Sequence, residues 1–138
     1  TKAQIRAFLH SFNWEEAMFL AHNTMFDAAI ANWVFGINPR VLADTLCIAR
    51  AVDGVEVGGS LGVLAERYSL GTKGTEVLDA LGKRRLDFTP EELSRYGDYC
   101  INDVNLTYDL FKVLDPNFPR AYLRFRSRFI RTTPYRNT

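Results

Sequence analysis

Three side chains in this sequence have the types and spacing that chemistry needs. Asp27 is the single charged residue in the apolar stretch 24–37, which contains two further polar residues, both uncharged. Asp103 follows Tyr99 by four residues, and this spacing puts both side chains on one face of a helix. Because an unpaired carboxylate is costly to bury, an acid inside an apolar segment needs a partner charge or a chemical task.

A divalent cation would compensate both acids at once. Two acids on the inward faces of two helices need a shared positive charge, and Asp carboxylates suit hard cations such as Mg²⁺ or Mn²⁺. Each acid also has a purely structural interpretation. Asp27 is the third residue of a helix if Thr24 is its N-cap, a position that favours carboxylates. Asp103 could instead be a buried acid that accepts hydrogen bonds from Tyr, Thr or Arg side chains.

The helix that carries Asp103 has the clearest start signal in the chain. Thr89 stands at its N-cap, Pro90 at its first position, and Glu92 completes a capping box. We expect this helix to run to about Leu114, with Asp103 in the middle of its apolar face. Projected at ~100° per residue, that face comprises Tyr99, Cys100, Asp103, Val104, Leu106, Thr107, Leu110 and Phe111.

Shorter elements precede this helix and position the first acid. The segment "AMFLAH" (17–22) predicts a buried strand. A core helix capped by Asn23 or Thr24 follows and ends at Gly36. Helix predominates and strands are scarce. The other expected elements are a helix over 2–12, a strand or turn leading into a helix over 40–52, helices over 61–68, 76–82 and 118–130, and loops over 53–59, 69–75 and 83–88.

Length and composition are those of one globular domain. The chain has 138 residues, of which 47% are hydrophobic. No apolar run approaches the roughly 18 to 20 residues of a membrane span, and no signal peptide pattern is visible. Cys47 and Cys100 are expected to be small, reduced core residues, as in a cytosolic protein. His10 and His22 cannot form a zinc site without a matching Cys pair.

Charge is distributed unevenly along the chain. The formal net charge is +1, but six arginines and no acid follow Asp115, so the first 115 residues carry 1 − 6 = −5. A basic end can bind phosphates, and it can equally be a solvated surface or a tail. The six residues are Arg120, Arg124, Arg126, Arg128, Arg131 and Arg136.

The acid-bearing segments resemble motifs of the DEDD 3′–5′ exonucleases. "HNTMFD" (22–27) is similar to the second motif of that family, Asn-x₂₋₃-Phe/Tyr-Asp. "YCIND" (99–103) is similar to the third motif, Tyr-x₃-Asp, of the tyrosine subclass. Between them, "DTL" (44–46) and "SLGVLAERYSLGTKG" (60–74) resemble segments of the proofreading domains of A-family DNA polymerases, particularly those of phages. The ordered set covers roughly residues 1–118.

This resemblance implies an α/β, RNase H-like exonuclease fold with part of its sheet missing. The first motif of the family, Asp-x-Glu, lies on the first strand of the sheet, well before the second motif. Here 22 residues precede Asn23, and they contain Glu15 and Glu16 but no Asp-x-Glu. We therefore expect a fold truncated at the N-terminus in which the helical part dominates. It would comprise a partial exonuclease domain over 1–118 and a basic C-terminal helix or tail over 119–138.

The resemblance also implies roles for individual residues. In the family, two metal ions bind the scissile phosphate of the 3′-terminal nucleotide; one activates a water and the other stabilises the leaving oxygen. Asp27 and Asp103 would be metal ligands, and Tyr99 would orient or help to deprotonate the attacking water. The implied cofactor is Mg²⁺ or Mn²⁺, with two ions in the complete domain and weak or no binding here. The implied substrate-binding residues are Asn23, Phe26, Leu61 and Lys73, although an exposed loop lysine describes Lys73 better.

The implied function is that of a 3′–5′ exonuclease (proofreading) fragment of a DNA polymerase. Its substrate would be the 3′ end of single-stranded DNA, and its partner a polymerase domain or the missing N-terminal segment. No membrane association is implied, and the location would be the cytoplasm, that of the host if the gene is phage-encoded. Without Asp-x-Glu we expect this chain alone to be inactive. Two alternatives are a catalytically dead nucleic-acid-binding remnant and a helical interaction domain with internally paired aspartates.

Overall fold

Two short parallel strands and five α-helices make up the described part of the chain, residues 1–75 and 80–117 of this computed structural model. None of these helices combines the length and apolarity that a bilayer crossing requires. The strands are β1 (Met18–Ala21) and β2 (Val41–Asp44), and the helices are α1 (Lys2–Leu9), α2 (Thr24–Phe35), α3 (Thr45–Asp53), α4 (Leu61–Arg67) and α5 (Pro90–Leu114). Short 3₁₀ helices span Val55–Val57, Arg85–Asp87 and Asp115–Asn117.

Most of the expected elements are confirmed, with ends that differ by a few residues. The expectation that helix dominates and strands are scarce also holds for the described residues. The expected loops over 53–59 and 83–88 each contain a 3₁₀ helix. The expected helix over 76–82 lies partly outside the described residues, and the expected basic helix over 118–130 lies wholly outside them.

The two strands and α2 form a β-α-β unit that sets the position of the second motif. Met18 pairs with Val41 and Ala21 with Asp44, so both strands end at the same edge of the sheet. Helix α2 packs against both strands and ends at Gly36, which takes the left-handed conformation (φ 74°) that favours glycine. Residues directly after β1 and β2 therefore lie side by side.

Helix α5 is stabilised at its start and packs its second half into the core. The Thr89 hydroxyl accepts a hydrogen bond from the Glu92 N–H, and the Glu92 carboxylate accepts one from the Thr89 N–H. These bonds satisfy donors that a helix start leaves free. Burial of apolar area from α3, α4, α5 and β2 supplies the main core. Its buried residues are Ala43, Ile48, Ala49, Leu61, Leu64, Ala65, Leu106, Leu110 and Leu114.

Helix α2 is not the core helix that its composition suggests. Its buried residues are Thr24, Ala28 and Ala31, a face of small side chains turned to the sheet. Large apolar residues on its other faces are open to solvent, including Phe26, which is 67% exposed. Asp27 is also exposed. The expectation that Asp27 sits in a buried helix is therefore wrong, because only the small-residue face of α2 meets the sheet.

The apolar face of α5 is narrower than its helical projection indicates. Leu106, Thr107 and Leu110 are buried as expected, but Val104 is 67% exposed. Cys100 is also exposed and Cys47 is half-buried, so the expectation of two core cysteines is wrong. The reason is that α3 and α4 contact α5 on one side only, while part of the opposite edge of the stripe borders an open cleft.

Candidate active site

A cleft of about 990 Å³ beside β1 brings together segments that are far apart in the sequence. It is lined by β1 and the residues after it, by the starts of α3 and α4, by the loop 69–75 and by the middle of α5. Phe26 and Tyr99 lie outside this lining in the described part of the chain. The predicted site residues that line the cleft are Asn23, Asp27, Leu61, Lys73 and Asp103.

Asp44, at the end of β2, holds the starts of both helices that follow the strands. Its carboxylate accepts hydrogen bonds at 3.1 Å from the N–H groups of Asn23 and Thr24, where α2 begins. It also accepts bonds from the N–H groups of Leu46 and Cys47, at 3.0 and 3.3 Å, where α3 begins. A carboxylate is favoured at a helix N-terminus because it satisfies free donors and meets the positive end of the dipole. At 3% exposure, Asp44 fixes the edge of the sheet from which the second motif extends.

Of the two residues predicted as the N-cap of α2, Asn23 and Thr24, the structure has Asn23 at that position. The N-cap is Asn23, with left-handed backbone angles (φ 64°, ψ 53°), so Thr24 is the first helical residue and Asp27 the fourth. The Thr24 hydroxyl is buried and donates to the carbonyl oxygen of Ala43 at 2.6 Å. Although Asp27 is exposed overall, partial desolvation beside the cleft raises its pKa, the nearby charge of Asp44 adds to this effect, and a bond to its own backbone N–H opposes it. Asp27 therefore lies in the first turn of α2, where a carboxylate is favoured, and also lines the cleft.

His22 ties β1 to the loop before α4. Its Nε2 is 2.7 Å from the carbonyl oxygen of Gly59, and its Nδ1 is 2.8 Å from the Thr45 hydroxyl oxygen. In the neutral ring Nε2–H donates to Gly59, and the Thr45 hydroxyl donates to Nδ1. Burial lowers the pKa of His22 below 6.5. A side chain at Gly59 would meet Leu46 Cδ1 at 2.5 Å, so glycine permits this close approach.

The third motif presents Tyr99 and Asp103 one helical turn apart on α5. Tyr99 is buried and its ring stacks on Tyr96 at 5.8 Å. Burial raises the pKa of the Tyr99 hydroxyl above 10.0. In the absence of a cation the hydroxyl therefore stays protonated near neutral pH, which suits it to orienting a water. The Asp103 side chain is 26% exposed and faces the cleft.

Lys73 connects the loop 69–75 to both groups of the third motif. Its ammonium group forms a short ion pair with Asp103 Oδ2, donates to the Tyr99 hydroxyl at 2.6 Å and lies 4.7 Å from the centre of the Tyr99 ring. Burial lowers the pKa of Lys73, but its bonds to Asp103 and Tyr99 outweigh this effect and raise the pKa above 10.5. Lys73 is therefore half-buried and paired, not the exposed loop lysine expected. Asp103 is internally paired: its carboxylate meets the Lys73 ammonium group, and the Tyr99 hydroxyl is hydrogen-bonded to it as well.

The residues around Asp103 fit part of a divalent-cation site. Asp103 Oδ1 is buried and has no hydrogen-bond partner among the described residues, as an oxygen that ligates a cation would be. Asp27 adds a second carboxylate to the same cleft. Within residues 1–75 and 80–117, however, no group of three His, Cys, Asp or Glu side chains is arranged to hold a metal ion. The described residues thus supply two carboxylates and not a complete two-ion centre.

Two residues that organise the site were not predicted from the sequence. Asp44 carries a local signal, since an acid between a short apolar run and a helix is a common N-cap. The sequence gives no local signal for the bonds between Asp44 and the start of α2, because the N-cap Asn23 lies 21 residues before Asp44. His22 contacts a residue 37 positions away, and nothing in its neighbourhood indicates that partner.

Comparison with known protein families places the chain among exonuclease domains of DNA polymerases. The matching family is described as 3′–5′ exonuclease, of the A-family polymerase type, and its model matches residues 1–118. The chain therefore belongs to this 3′–5′ exonuclease family, and the resemblance seen in the motifs is confirmed at the level of the family. No curated protein and no solved structure matches the chain.

Proposed function

We propose that this chain is the larger part of an RNase H-like 3′–5′ exonuclease domain of the tyrosine subclass. Its reaction would be hydrolysis of the 3′-terminal phosphodiester of single-stranded DNA, as in the proofreading part of a phage-like DNA polymerase. The observation that carries the proposal is that Asp27 of the second motif and Asp103 of the third line one cleft. Family membership supports the reaction class.

The proposed roles follow from the position of each side chain. Two divalent cations, Mg²⁺ or Mn²⁺, supply when bound the positive charge that activates a water and stabilises the leaving oxygen. Asp27, on α2, and Asp103, on α5, each offer a carboxylate to these ions. Tyr99, which keeps its proton, orients the attacking water through its hydroxyl.

Substrate contacts are assigned to residues at the rim of the cleft. Asn23 lines the cleft beside Asp27 and offers an amide to the terminal nucleotide. Leu61, at the start of α4, also lines the cleft and is the apolar surface that we assign to the terminal base. Phe26 lies outside the lining, so the base contact rests on Leu61. We assign the Lys73 ammonium group to a contact with a phosphate oxygen of the bound strand.

A further segment is needed to complete the site. The sequence contains no Asp-x-Glu, so the first-motif carboxylates must come from outside it. The sheet consists of two strands in the described residues, which leaves the outer edge of β1 unpaired. Exposed apolar residues line the cleft beside it: Met18, Val104 and Tyr108 are 45%, 67% and 56% exposed. We assign this face to strands that carry Asp-x-Glu.

The second candidate function is a nucleic-acid-binding remnant without catalysis. The observations that favour it are the absence of Asp-x-Glu from the sequence and the ion pair that occupies one oxygen of Asp103. A remnant would retain the cleft and its affinity for single strands. A supplied Asp-x-Glu segment would not give a remnant exonuclease activity.

One experiment separates the two functions. The 138-residue chain would be joined to a segment that supplies the Asp-x-Glu strand, and a 5′-labelled single strand would be incubated with it and Mg²⁺ or Mn²⁺. The exonuclease proposal predicts a ladder of products shortened from the 3′ end, and its loss in Asp103→Ala. Binding of the strand without shortening would support the remnant, and shortening that persists in Asp103→Ala would overturn the assignment of the site.

A further inference from the structure

Lys73 is positioned on the third motif by a loop that is itself anchored to α5. The Asn102 amide donates to the carbonyl oxygen of Thr72 at 3.1 Å, which fixes the backbone next to Lys73. The Lys73 stem also lies against Gly62 at the start of α4, where a side chain would meet Lys73 Cβ at 3.5 Å. The backbone next to Lys73 is therefore held by α5, and its long, flexible type of side chain runs past the start of α4 to reach Asp103.

The ammonium group of Lys73 covers both groups that the third motif offers to the reaction. It pairs with Asp103 Oδ2 and it bonds to the Tyr99 hydroxyl. The second oxygen of Asp103 stays without a hydrogen-bond partner in the described residues. A divalent cation that used both oxygens of Asp103 would compete with the ammonium group for Oδ2, since two cations cannot occupy the same lone pairs.

We propose that Lys73 is a built-in counter-ion of Asp103 that a divalent cation displaces. The displaced ammonium group turns into the cleft, which Lys73 already lines, and contacts a phosphate oxygen of the bound strand. Its departure also frees the Tyr99 hydroxyl for the attacking water. Lys73 is then a positioning residue that serves Asp103 before the cation arrives and the strand afterwards. This inference rests on the proposed function, because it needs Asp103 to bind a cation.

The first test measures Mn²⁺ binding by the full chain near neutral pH, from the electron paramagnetic resonance signal of free Mn²⁺. Lys73→Met removes the competing charge and should tighten Mn²⁺ binding by about two- to fivefold, the range expected for a partly exposed ion pair. Lys83→Met is a matched control outside the cleft. Lys83 pairs with Glu92 at 3.0 Å, lies 5.2 Å from the Phe88 ring and is 33% exposed, against 27% for Lys73. It should leave Mn²⁺ binding unchanged.

The second test measures the salt dependence of binding of a short phosphorothioate single strand in the presence of Mn²⁺. Loss of one phosphate contact in Lys73→Met should make the negative slope of log K against log salt concentration shallower by about 0.7. The Lys83→Met control should keep the slope of the parent chain. Lys73→Gln provides a second variant if Lys73→Met does not fold, as judged by circular dichroism.

Asp103→Asn separates a failure of this inference from a failure of the proposed function. If Asp103→Asn weakens Mn²⁺ binding while Lys73→Met and Lys73→Gln bind Mn²⁺ like the parent chain, the counter-ion role is overturned and the proposed metal ligand stands. If Asp103→Asn binds Mn²⁺ as well as the parent chain, Asp103 is no ligand and both proposals fall. An unchanged salt slope in Lys73→Met, with tighter Mn²⁺ binding, would overturn the phosphate contact.

Discussion

At the scale of single residues, Tyr99 and Asp103 of the third motif are joined by the charged side chain of Lys73. Asp103 shares one oxygen with the Lys73 ammonium group, and its other oxygen is buried without a hydrogen-bond partner in the described chain. Tyr99 contributes through two parts of its side chain: the ring stacks on Tyr96, and the hydroxyl meets Lys73. Packing and chemistry can therefore be separated by removing the hydroxyl alone.

Tyr99→Phe should preserve the fold and impair the reaction of the complete domain. The ring contacts remain and one partly buried hydrogen bond is lost, so the free energy of unfolding should fall by about 1 kcal/mol or less. If the hydroxyl orients the attacking water, single-turnover hydrolysis of single-stranded DNA should slow by about 10- to 1,000-fold. Affinity for the strand should hardly change, since the contact is made mainly in the transition state.

The domain for this assay is the chain joined to a segment with Asp-x-Glu. Asp103→Ala serves as the inactive reference. A Tyr99→Phe rate equal to that of the parent domain, with Asp103→Ala inactive, would assign Tyr99 to packing alone.

At the scale of elements, the edge where β1 and β2 end is held by polar side chains rather than by apolar packing. Asp44 binds the starts of two helices, and His22 bridges β1 to the loop before α4. These bonds lie beside the cleft and set the distance between its walls. Each can be tested by a change in stability.

Asp44→Ala should be among the costliest single substitutions in the chain. It removes the acceptor for four backbone N–H groups at two helix starts. Two caps of about 0.5–2 kcal/mol each, together with buried donors left unpaired, predict a loss of about 2–4 kcal/mol in the free energy of unfolding. Urea denaturation followed by circular dichroism measures it.

Ser60→Ala is the matched control for this prediction. The Ser60 hydroxyl accepts one hydrogen bond, from the Val63 N–H at 3.3 Å, and so caps the single helix α4. We expect it to cost about 1 kcal/mol. If Asp44→Ala costs no more than Ser60→Ala, Asp44 does not hold the two helices together.

His22 should make the stability of the chain depend on pH in a defined direction. Burial lowers the pKa of His22 in the folded chain below 6.5, with Lys73 and Arg50 adding to this effect and Asp44 and the Gly59 carbonyl opposing it. The unfolded chain therefore takes up the proton first as the pH falls. The stabilising contribution is complete above about pH 6.5 and is lost as the pH falls from there through the lower, folded pKa.

Thermal or urea unfolding measured over this pH range tests the prediction. His22→Gln cannot take up the proton, so its stability should depend less on pH in this window. His10→Gln is the control, because His10 is an exposed residue at the end of α1 that bonds to the Phe35 carbonyl oxygen outside the cleft lining. Equal pH dependence in His22→Gln and the parent chain would show that His22 is not the group that titrates.

At the scale of the whole molecule, the described residues line a cleft that both motifs share. The acids of two motifs face a space bordered by exposed apolar side chains and by the unpaired edge of β1. Parallel sheets are normally covered on both faces, and an exposed strand edge invites pairing with another chain. The whole-molecule prediction concerns what the chain does without such a partner.

The 138-residue chain alone should show little or no exonuclease activity. It offers two of the carboxylates of the proposed two-ion centre and no Asp-x-Glu, so the ions would lack their shared ligand. A 3′-labelled single strand incubated with the chain and Mg²⁺ or Mn²⁺ should stay intact. Rapid release of label that Asp103→Ala abolishes would show that the chain assembles its metal centre without a first motif.

The sequence by itself determined the features that depend on neighbouring residues. The capping box of α5 and the end of α2 at Gly36 were both predicted, because such signals act within about one helical turn. The strand over Met18–Ala21 was predicted from its apolar run. The two motifs were recognised because their residues are adjacent or one turn apart, and the family that they indicated is the one that the family match shows.

Only the tertiary structure decided which distant groups meet and which faces are covered. Lys73 reaches Asp103 across 30 positions, and His22 reaches Gly59 across 37. Such pairs depend on the path of the chain, which local patterns do not encode. Burial is decided in the same way: α2 has an apolar composition, yet Phe26 and Asp27 are exposed because the sheet covers only its small residues. Hydrophobic composition predicts that a helix can be buried, whereas its neighbours determine which of its faces is.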